Sequence, residues 1–562
     1  MRFLRPFCSL GLAVVVLATV LRAAPVAISS GTFRHGVVVA GHPQAAAVGL
    51  AVLRQGGNAI DAAVATSLAL GVAEPYASGL GGKVMLLYYE AAQRRVFAVD
   101  GMDAAGSVDV AAFSRRPAED RSYGYGAVAV PGLPAGLWLA HQRWGRRPWA
   151  DDVAPAVDLA ERGFTVLPKS RQFFEEQVRK LRRGDREIAR LYLPGGKLPE
   201  IGAVLPNPDL ARSLTLLATH GRDGFYRGPV AEAIVAACAA GQGSLTAGDL
   251  ATYEARVTEP VEISFHGLEV VSAPPPTNGS AMLLPALKAL EEDPLPEGSL
   301  RRADVLDRLG RIWRQVEPES YRVIGDAPES RFKLERLLAP GAIDDLRRKA
   351  GVAVPAPVSA WMPLNEEAVA STTHFIVVDA AGNVVCATQS LSVHFGAGVV
   401  APGTGIVLNN SMSNFEYGDR THPNALAPGR RPRSTICPTL VLKEGKPLLA
   451  LGVPGSARIP TSLFQVLLDR LVLGRPLAEA IGDTRFHFEI PWRKGDVQAV
   501  EAEQSLPAGE AEGLRRLGWK VNLSEPAGEG RKFSGVSAVE FNPDGTVTGY
   551  ADPRRSNAVA GD

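Results

Sequence analysis

The chain has 562 residues and a formal net charge of +1; it is 46% hydrophobic and 21% charged. This balance fits a large globular core and gives no electrostatic case for binding nucleic acid or an acidic membrane surface. Length alone suggests roughly two to four domain-sized units.

The first 24 residues read as a secretory signal. Arg2 and Arg5 give a positive start, Pro6 to Leu21 is largely apolar, and Arg22-Ala23-Ala24 follows. The expected compartment is the periplasm or cell exterior, with no membrane span in the mature chain. Cys8 would leave with the signal. Cys238, Cys386 and Cys437 stay behind as an odd set without metal-ligand spacing, and they read as buried thiols.

Two helices come next. Ala45 to Arg54 is stopped by Gly56-Gly57, and Ala59 to Leu70 is so apolar that it should be buried. Val84 to Tyr89 and Arg95 to Val99 read as strands joined by a polar turn. Residues 151 to 260 are mostly helical in pattern, as in Ala154 to Glu161 and Val230 to Ala239. Pro274-Pro275-Pro276 marks an extended turn. Residues 352 to 371 carry Pro355, Pro357 and Pro363 without clear periodicity and read as a linker.

Beyond the linker the pattern turns to strands. Phe375 to Val378 and Val384 to Thr388 flank the turn Ala380-Ala381-Gly382-Asn383. Thr439 to Leu442 and Lys446 to Leu451 flank Lys443-Glu444-Gly445. Leu463 to Leu473 and Glu510 to Leu517 have helical amphipathicity. Val536 to Phe541 and Val547 to Tyr550 flank Asn542-Pro543-Asp544-Gly545. Mixed helices and antiparallel strands point to an α+β layered architecture.

Ser371-Thr372-Thr373-His374-Phe375 joins the linker to the first of these strands. If the Ser371–Thr372 bond were cut, Thr372 would gain a free α-amine beside its own hydroxyl. That amine could act as the base that turns the hydroxyl into a nucleophile. Five residues alone fit a plain β-strand better, because β-branched residues suit the pleat.

Blocks along the rest of the chain add to this. They include Leu53-Arg54-Gln55-Gly56-Gly57-Asn58-Ala59-Ile60-Asp61-Ala62-Ala63, Ser78-Gly79-Leu80-Gly81-Gly82 and Ala129-Val130-Pro131-Gly132. Later ones are Phe225-Tyr226-Arg227-Gly228, Leu408-Asn409-Asn410, Arg431-Pro432-Arg433-Ser434, Pro454-Gly455 and Ala551-Asp552-Pro553-Arg554-Arg555. In this order the blocks resemble the γ-glutamyltranspeptidase family, of the N-terminal-nucleophile hydrolases, over nearly the whole chain. The resemblance implies a four-layer αββα sandwich built from two autoprocessed fragments. These would be residues 25–371 (large) and 372–562 (small), held together as a heterodimer. It implies no cofactor. The nine histidines are scattered and offer no metal site.

The resemblance also assigns roles. Thr372 would be the nucleophile, with the cut at Ser371–Thr372. Ser390 stands where the family has a threonine that orients it. Gly455 and Ser456 align with a glycine pair whose N–H groups hold the oxyanion. Ser456 departs from glycine, but any residue other than proline keeps the N–H. Ser434 and Thr435 retain the hydroxyl pair that meets the donor's α-carboxylate.

The glutamyl anchors differ. Met102 replaces the arginine that pairs with the α-carboxylate, and it has no proton to donate. Asn414 replaces the amine-binding aspartate and brings no charge. Ser392 and Ser411 replace an asparagine and a glutamine. Arg431, Arg433 and Arg458 are candidates to restore a positive charge, although arginines are ordinarily solvated. The short polar segment from Asn414 to Arg433 suggests an open cleft.

Three readings follow. The first is acyl transfer or hydrolysis of γ-glutamyl amides such as glutathione, to water or an amine. The second is an acylase acting on a glutaryl or less polar group, as in cephalosporin-acylase relatives. The third is a secreted, non-catalytic relative.

Overall fold

The computed structural model describes residues 29–292, 295–296, 298–351, 370–490, 497–524, 526 and 532–562. The expected leader (1–24) and nearly all of the expected linker lie outside them. Among the described residues, no helix is long and apolar enough to cross a membrane.

Two seven-stranded antiparallel sheets form the centre. One runs in the order Ser29–Phe33, Val547–Ala551, Ser537–Phe541, Lys446–Gly452, Thr439–Lys443, Leu268–Ser272, Val261–Phe265. The other runs Ala558–Gly561, Gly36–Ala40, Ala370–Asp379, Val384–Val393, Lys83–Glu90, Arg95–Gly101, Arg256–Thr258. The strands alternate side chains between two buried faces, which explains their near-continuous apolar runs. Val39, Leu87, Ile376 and Cys386 of one sheet meet Val271, Leu440, Ala450 and Val539 of the other in a dry middle layer. Helices cover both outer faces. Pro43–Arg54, Ala59–Ala73 and Trp149–Arg162 pack over one sheet, and Gly279–Glu291, Ala303–Val323 and Arg458–Leu467 over the other. This is the expected four-layer αββα sandwich.

The second sheet interleaves the two prospective fragments. Gly36–Ala40 pairs with Ala370–Asp379 on one side and Ala558–Gly561 on the other. Lys83–Glu90 pairs with Val384–Val393. A side-chain bond adds to this: Asp379 Oδ2 accepts from Ala59 N at 2.9 Å, at the start of the buried helix Ala59–Ala73. That helix also has a complete capping box between Asn58 and Asp61.

The sequence expectations miss the opening strands Ser29–Phe33 and Gly36–Ala40, which are too short to show a period. The helix expected from Leu463 starts at Arg458 and ends in a π-turn, Leu468–Val472. The nucleophile strand starts at Ala370, before its apolar run. Cys238, Cys386 and Cys437 are buried thiols, as expected.

His374 fixes the packing of the two sheets near the site. It is fully buried, and burial pushes its imidazole down to about 3, so it is neutral at working pH. Nδ1 lies 2.8 Å from Thr388 Oγ1. Gly452 of the other sheet lies against the ring, where an added Cβ would come within 2.1 Å. Gly452→Ala should therefore lower stability by about 2 kcal/mol or more, read as a clear fall in thermal midpoint. An unchanged midpoint would contradict this packing.

Candidate active site

The strand Ala370–Asp379 pairs with Val384–Val393, and its register slips between Ser371 and Thr373. Between those pairs Thr372 alone stands opposite two residues, Ser390 and Leu391, so the extra residue of the bulge lies on Val384–Val393, and bulges re-aim a side chain at functional sites. Thr372 Oγ1 lies 3.1 Å from Ser390 Oγ. The Ser371 carbonyl accepts from the hydroxyls of both Thr372 and Ser390. Ser390 Oγ also accepts from Ser392 N at 2.9 Å. Ser390 therefore sits inside a buried strand with its hydroxyl fully engaged, not at a turn end. On the other side, Arg555 Nη1 donates to Thr372 O at 3.1 Å. The Ser371 hydroxyl donates to Tyr76 O at 2.6 Å and Ala77 O at 2.5 Å. The scissile bond expected from the sequence is thus held at both ends.

Gly455 and Ser456 follow the strand Lys446–Gly452, whose last residue touches the His374 ring. Gly455 has φ +137° and Ser456 φ +56°. Ser456 thus accepts the left-handed conformation that glycine would adopt freely. The turn closes through carbonyls: Arg458 N donates to Gly455 O at 3.1 Å and Ile459 N to Ser456 O at 3.0 Å. Ser534, also left-handed at φ +63°, has a buried hydroxyl against Gly455.

Ser392, Ser411 and Asn414 come together around a residue the sequence reading did not single out. The Lys83 ammonium contacts the Ser392 hydroxyl, lies 2.8 Å from Ser411 Oγ and lies 3.4 Å from Asp103 Oδ2. Ser411 donates to the Asp103 carboxylate, and Asn414 Nδ2 donates to Ser392 Oγ at 3.2 Å. Lys83 pairs across the sheet with Ser390, so the cluster and Ser390 share one face. The signal was a lysine opening an otherwise apolar strand, Lys83–Glu90. Arg555 was legible only as part of the block Ala551-Asp552-Pro553-Arg554-Arg555.

Met102 is fully buried in the apolar cluster that includes Met85, Ala273, Ile436 and Val453. Its carbonyl accepts from Tyr253 Oη, 2.5 Å away. Ser434 and Thr435 are partly exposed in the segment that pairs with Thr277. The structure thus joins Thr372, Ser390, Ser392, Ser411 and Asn414 into one bonded group. Gly455 and Ser456 follow Gly452, the residue that lies against the His374 ring.

The three arginines proposed to restore charge are committed elsewhere. Arg431 is buried and ion-paired to Asp100, with Nη2 on Glu254 O at 2.5 Å. Arg433 is buried and donates to Tyr321 O at 2.7 Å. Arg458 pairs with Glu501 at 2.5 Å. The expectation of solvated Arg431 and Arg433 is corrected. Each fills a carbonyl-lined hole that anchors the 430–436 segment.

Asp61, His141 and Asp152 form a buried group of metal-ligating types. Arg147 Nε lies 2.9 Å from Asp152 Oδ1, and Asp61 Oδ1 accepts from Arg146 N at 2.9 Å. A cation already sits in this group, so it reads as a charge cluster pinning the 145–147 loop.

Residues 45–562 match the family described as Gamma-glutamyltranspeptidase. The Acylase ACY 1 proenzyme of Pseudomonas sp. (strain SE83) is 35% identical over 532 residues, covering 92% of each chain. The Glutathione hydrolase proenzyme of Pseudomonas sp. (strain A14) is 31% identical, covering 94% of each. The crystal structure of cephalosporin acylase from Bacillus halodurans superposes with TM-score 0.84 at 27% identity, covering 95% of this chain and 97% of that one.

Left-handed backbone costs a residue with a side chain about 1 kcal/mol. Ser456→Gly should therefore raise the thermal midpoint slightly and preserve turnover. Ser456→Pro should abolish turnover, because it removes the N–H and fixes φ near −65°. Equal activity of the two variants would remove Ser456 from the oxyanion site.

Proposed function

This chain belongs to the γ-glutamyltranspeptidase family of N-terminal-nucleophile hydrolases, and from that and the geometry around Thr372 we propose that it is a self-cleaving acyl hydrolase or transferase. Its acyl donor lacks the zwitterionic glutamyl head. The observation that carries this reading is the bulge opposite Thr372, with Ser390 Oγ 3.1 Å from Thr372 Oγ1 and the Ser371 carbonyl bonded to both hydroxyls.

In self-cleavage, Thr372 Oγ1 attacks the Ser371 carbonyl carbon. The Ser390 hydroxyl, already donating to that oxygen, stabilises the developing oxyanion. The C–N bond breaks, the Thr372 nitrogen leaves with the hydroxyl's proton as an amine, and water hydrolyses the ester. The interleaved sheet then keeps the fragments together as a heterodimer. In turnover, the freed α-amine takes the proton from Oγ1 as it attacks the donor amide. Gly455 and Ser456 N–H groups receive the oxyanion, and the ammonium protonates the leaving amine. Water or an acceptor amine then releases the acyl group.

The donor reading follows from the anchors. Neither the buried Met102 nor the neutral Asn414 supplies a charge to match an α-amino acid head, and Arg431, Arg433 and Arg458 are engaged elsewhere. A donor of the γ-glutamyl type is the second reading, supported by the retained, partly exposed hydroxyls of Ser434 and Thr435. Export through the leader would place the enzyme in the periplasm or outside the cell.

Denaturing electrophoresis of the mature protein should show fragments of about 37 and 20 kDa in place of the 59.5 kDa chain. Thr372→Ala should stay uncut. Ser390→Ala should cleave at least about tenfold more slowly, and Ser390→Thr should restore the rate. Normal cleavage in Thr372→Ala would refute the assignment.

A further inference from the structure

Lys83 has no part in the chemistry above, yet its buried ammonium lies beside the donor anchors. An ammonium carries three protons and accepts nothing. Here the three acceptors around it are Ser392 Oγ, Ser411 Oγ at 2.8 Å and Asp103 Oδ2 at 3.4 Å.

The consequence appears when the lone pairs are followed outward. Ser411 spends its proton on Asp103. Ser392 Oγ accepts from Lys83 and, at 3.2 Å, from Asn414 Nδ2. A hydroxyl oxygen has two lone pairs, so both of Ser392's are filled. Its proton can only donate, either to Ser411 Oγ at 2.7 Å or into the cleft. Asn414 Oδ1 lies 3.5 Å from Ser413 Oγ, which donates to Asn410 O at 2.8 Å. Asp103 is fully buried and already receives Lys83, Ser411 and, at 3.4 Å, Gly132 N.

Ser392 and Asn414 are the partly exposed members of this group. At Ser392 the surface offered to an incoming acyl chain is therefore a hydrogen-bond donor, with the Lys83 ammonium behind it. An ammonium arriving at Ser392 would find like charge and a filled acceptor. An oxygen acceptor would find unused protons. We propose that Lys83 reverses the hydrogen-bonding polarity at the far end of the donor pocket, so that acyl groups ending in an oxygen acceptor are selected and those bearing an amine are rejected. Lys83 is thus a specificity-determining residue that occupies, from within the protein, the place of a substrate cation.

The ion pair supports this. Burial pushes Asp103 up to about 6 and Lys83 down, and each partner opposes the other's shift. The proposal rests on the acyl-transfer reading and adds the donor's chemistry to it. A carboxylate and a neutral carbonyl share the required acceptor, so the test includes both.

The test compares the wild-type enzyme with Lys83→Met. Because that change leaves Asp103 without its cation, Lys83→Met/Asp103→Asn is the second variant. Glutaryl, 5-oxohexanoyl and γ-glutamyl anilides are compared by kcat/KM. Thermal shifts are read with glutarate and with glutamate, which differ by one amine. The wild type should prefer glutaryl over γ-glutamyl anilide at least tenfold, and glutarate alone should stabilise it. Both variants should lose at least tenfold of that preference, with γ-glutamyl turnover rising. Comparable 5-oxohexanoyl and glutaryl rates would identify any acceptor as sufficient, and a strong glutaryl preference would identify the carboxylate; either supports the proposal. A preference unchanged within threefold in both variants overturns it. So does equal stabilisation by the two acids, or stabilisation by neither. Failure of the Thr372 reading looks different: an uncut chain with no anilide turned over, while the thermal shifts still report on Lys83.

Discussion

The bulge opposite Thr372 is the constraint on which the rest of the site depends. A regular antiparallel ladder starting from Ser371 and Ser392 would set Thr372 opposite Leu391 and Thr373 opposite Ser390. The extra residue on Val384–Val393 breaks that register and sets Thr372 against both Leu391 and Ser390. It brings Thr372 Oγ1 to Ser390 on the next strand while Thr373 returns to the ladder opposite Gln389. Gln389 is itself bound to Ser67 O at 3.1 Å and Ser78 Oγ at 2.8 Å, so the strand beside the bulge is anchored to the buried helix and the loop after it. The irregularity is affordable because both flanks are fixed.

This arrangement links folding to chemistry. One fragment's strands lie between the other's, so a cut at residue 371 removes one covalent bond from a sheet that keeps its hydrogen bonds. The local strain is small beside that framework. Ser392 at φ +78° and Ser456 at φ +56° are both left-handed without being glycine. Such positions persist where the surroundings fix them, and they gather at functional sites. Here one presents a hydroxyl to Lys83 and the other closes the turn into the helix Arg458–Leu467 by accepting from Ile459 N.

Much of the fold was legible because the signals were local. The hairpins around Gly382, Gly445 and Gly545 announce themselves by turn residues at positive φ. The helix from Ala59 is apolar all round and is accordingly buried. The short strands Ser29–Phe33 and Gly36–Ala40 were not legible, since five residues paired with partners more than 300 positions away carry no periodic signature. In the site, Thr372 and Ser390 were readable as residue types in order. Lys83 was not, because its meaning lies in which hydroxyls it meets, and those come from positions 392 and 411. The fates of Arg431 and Arg433 were hidden for the same reason: a buried guanidinium is tolerated only where distant carbonyls and carboxylates converge.

The most direct test of the account is to locate the covalent acyl-enzyme. The mature protein would be treated with a slowly deacylating activated acyl ester, digested and mass-mapped. The account predicts that the added acyl mass sits on a peptide whose first residue is Thr372, with Ser390 unmodified. An adduct on any other hydroxyl, or a mature chain in which Ser371 and Thr372 are still joined, would contradict it.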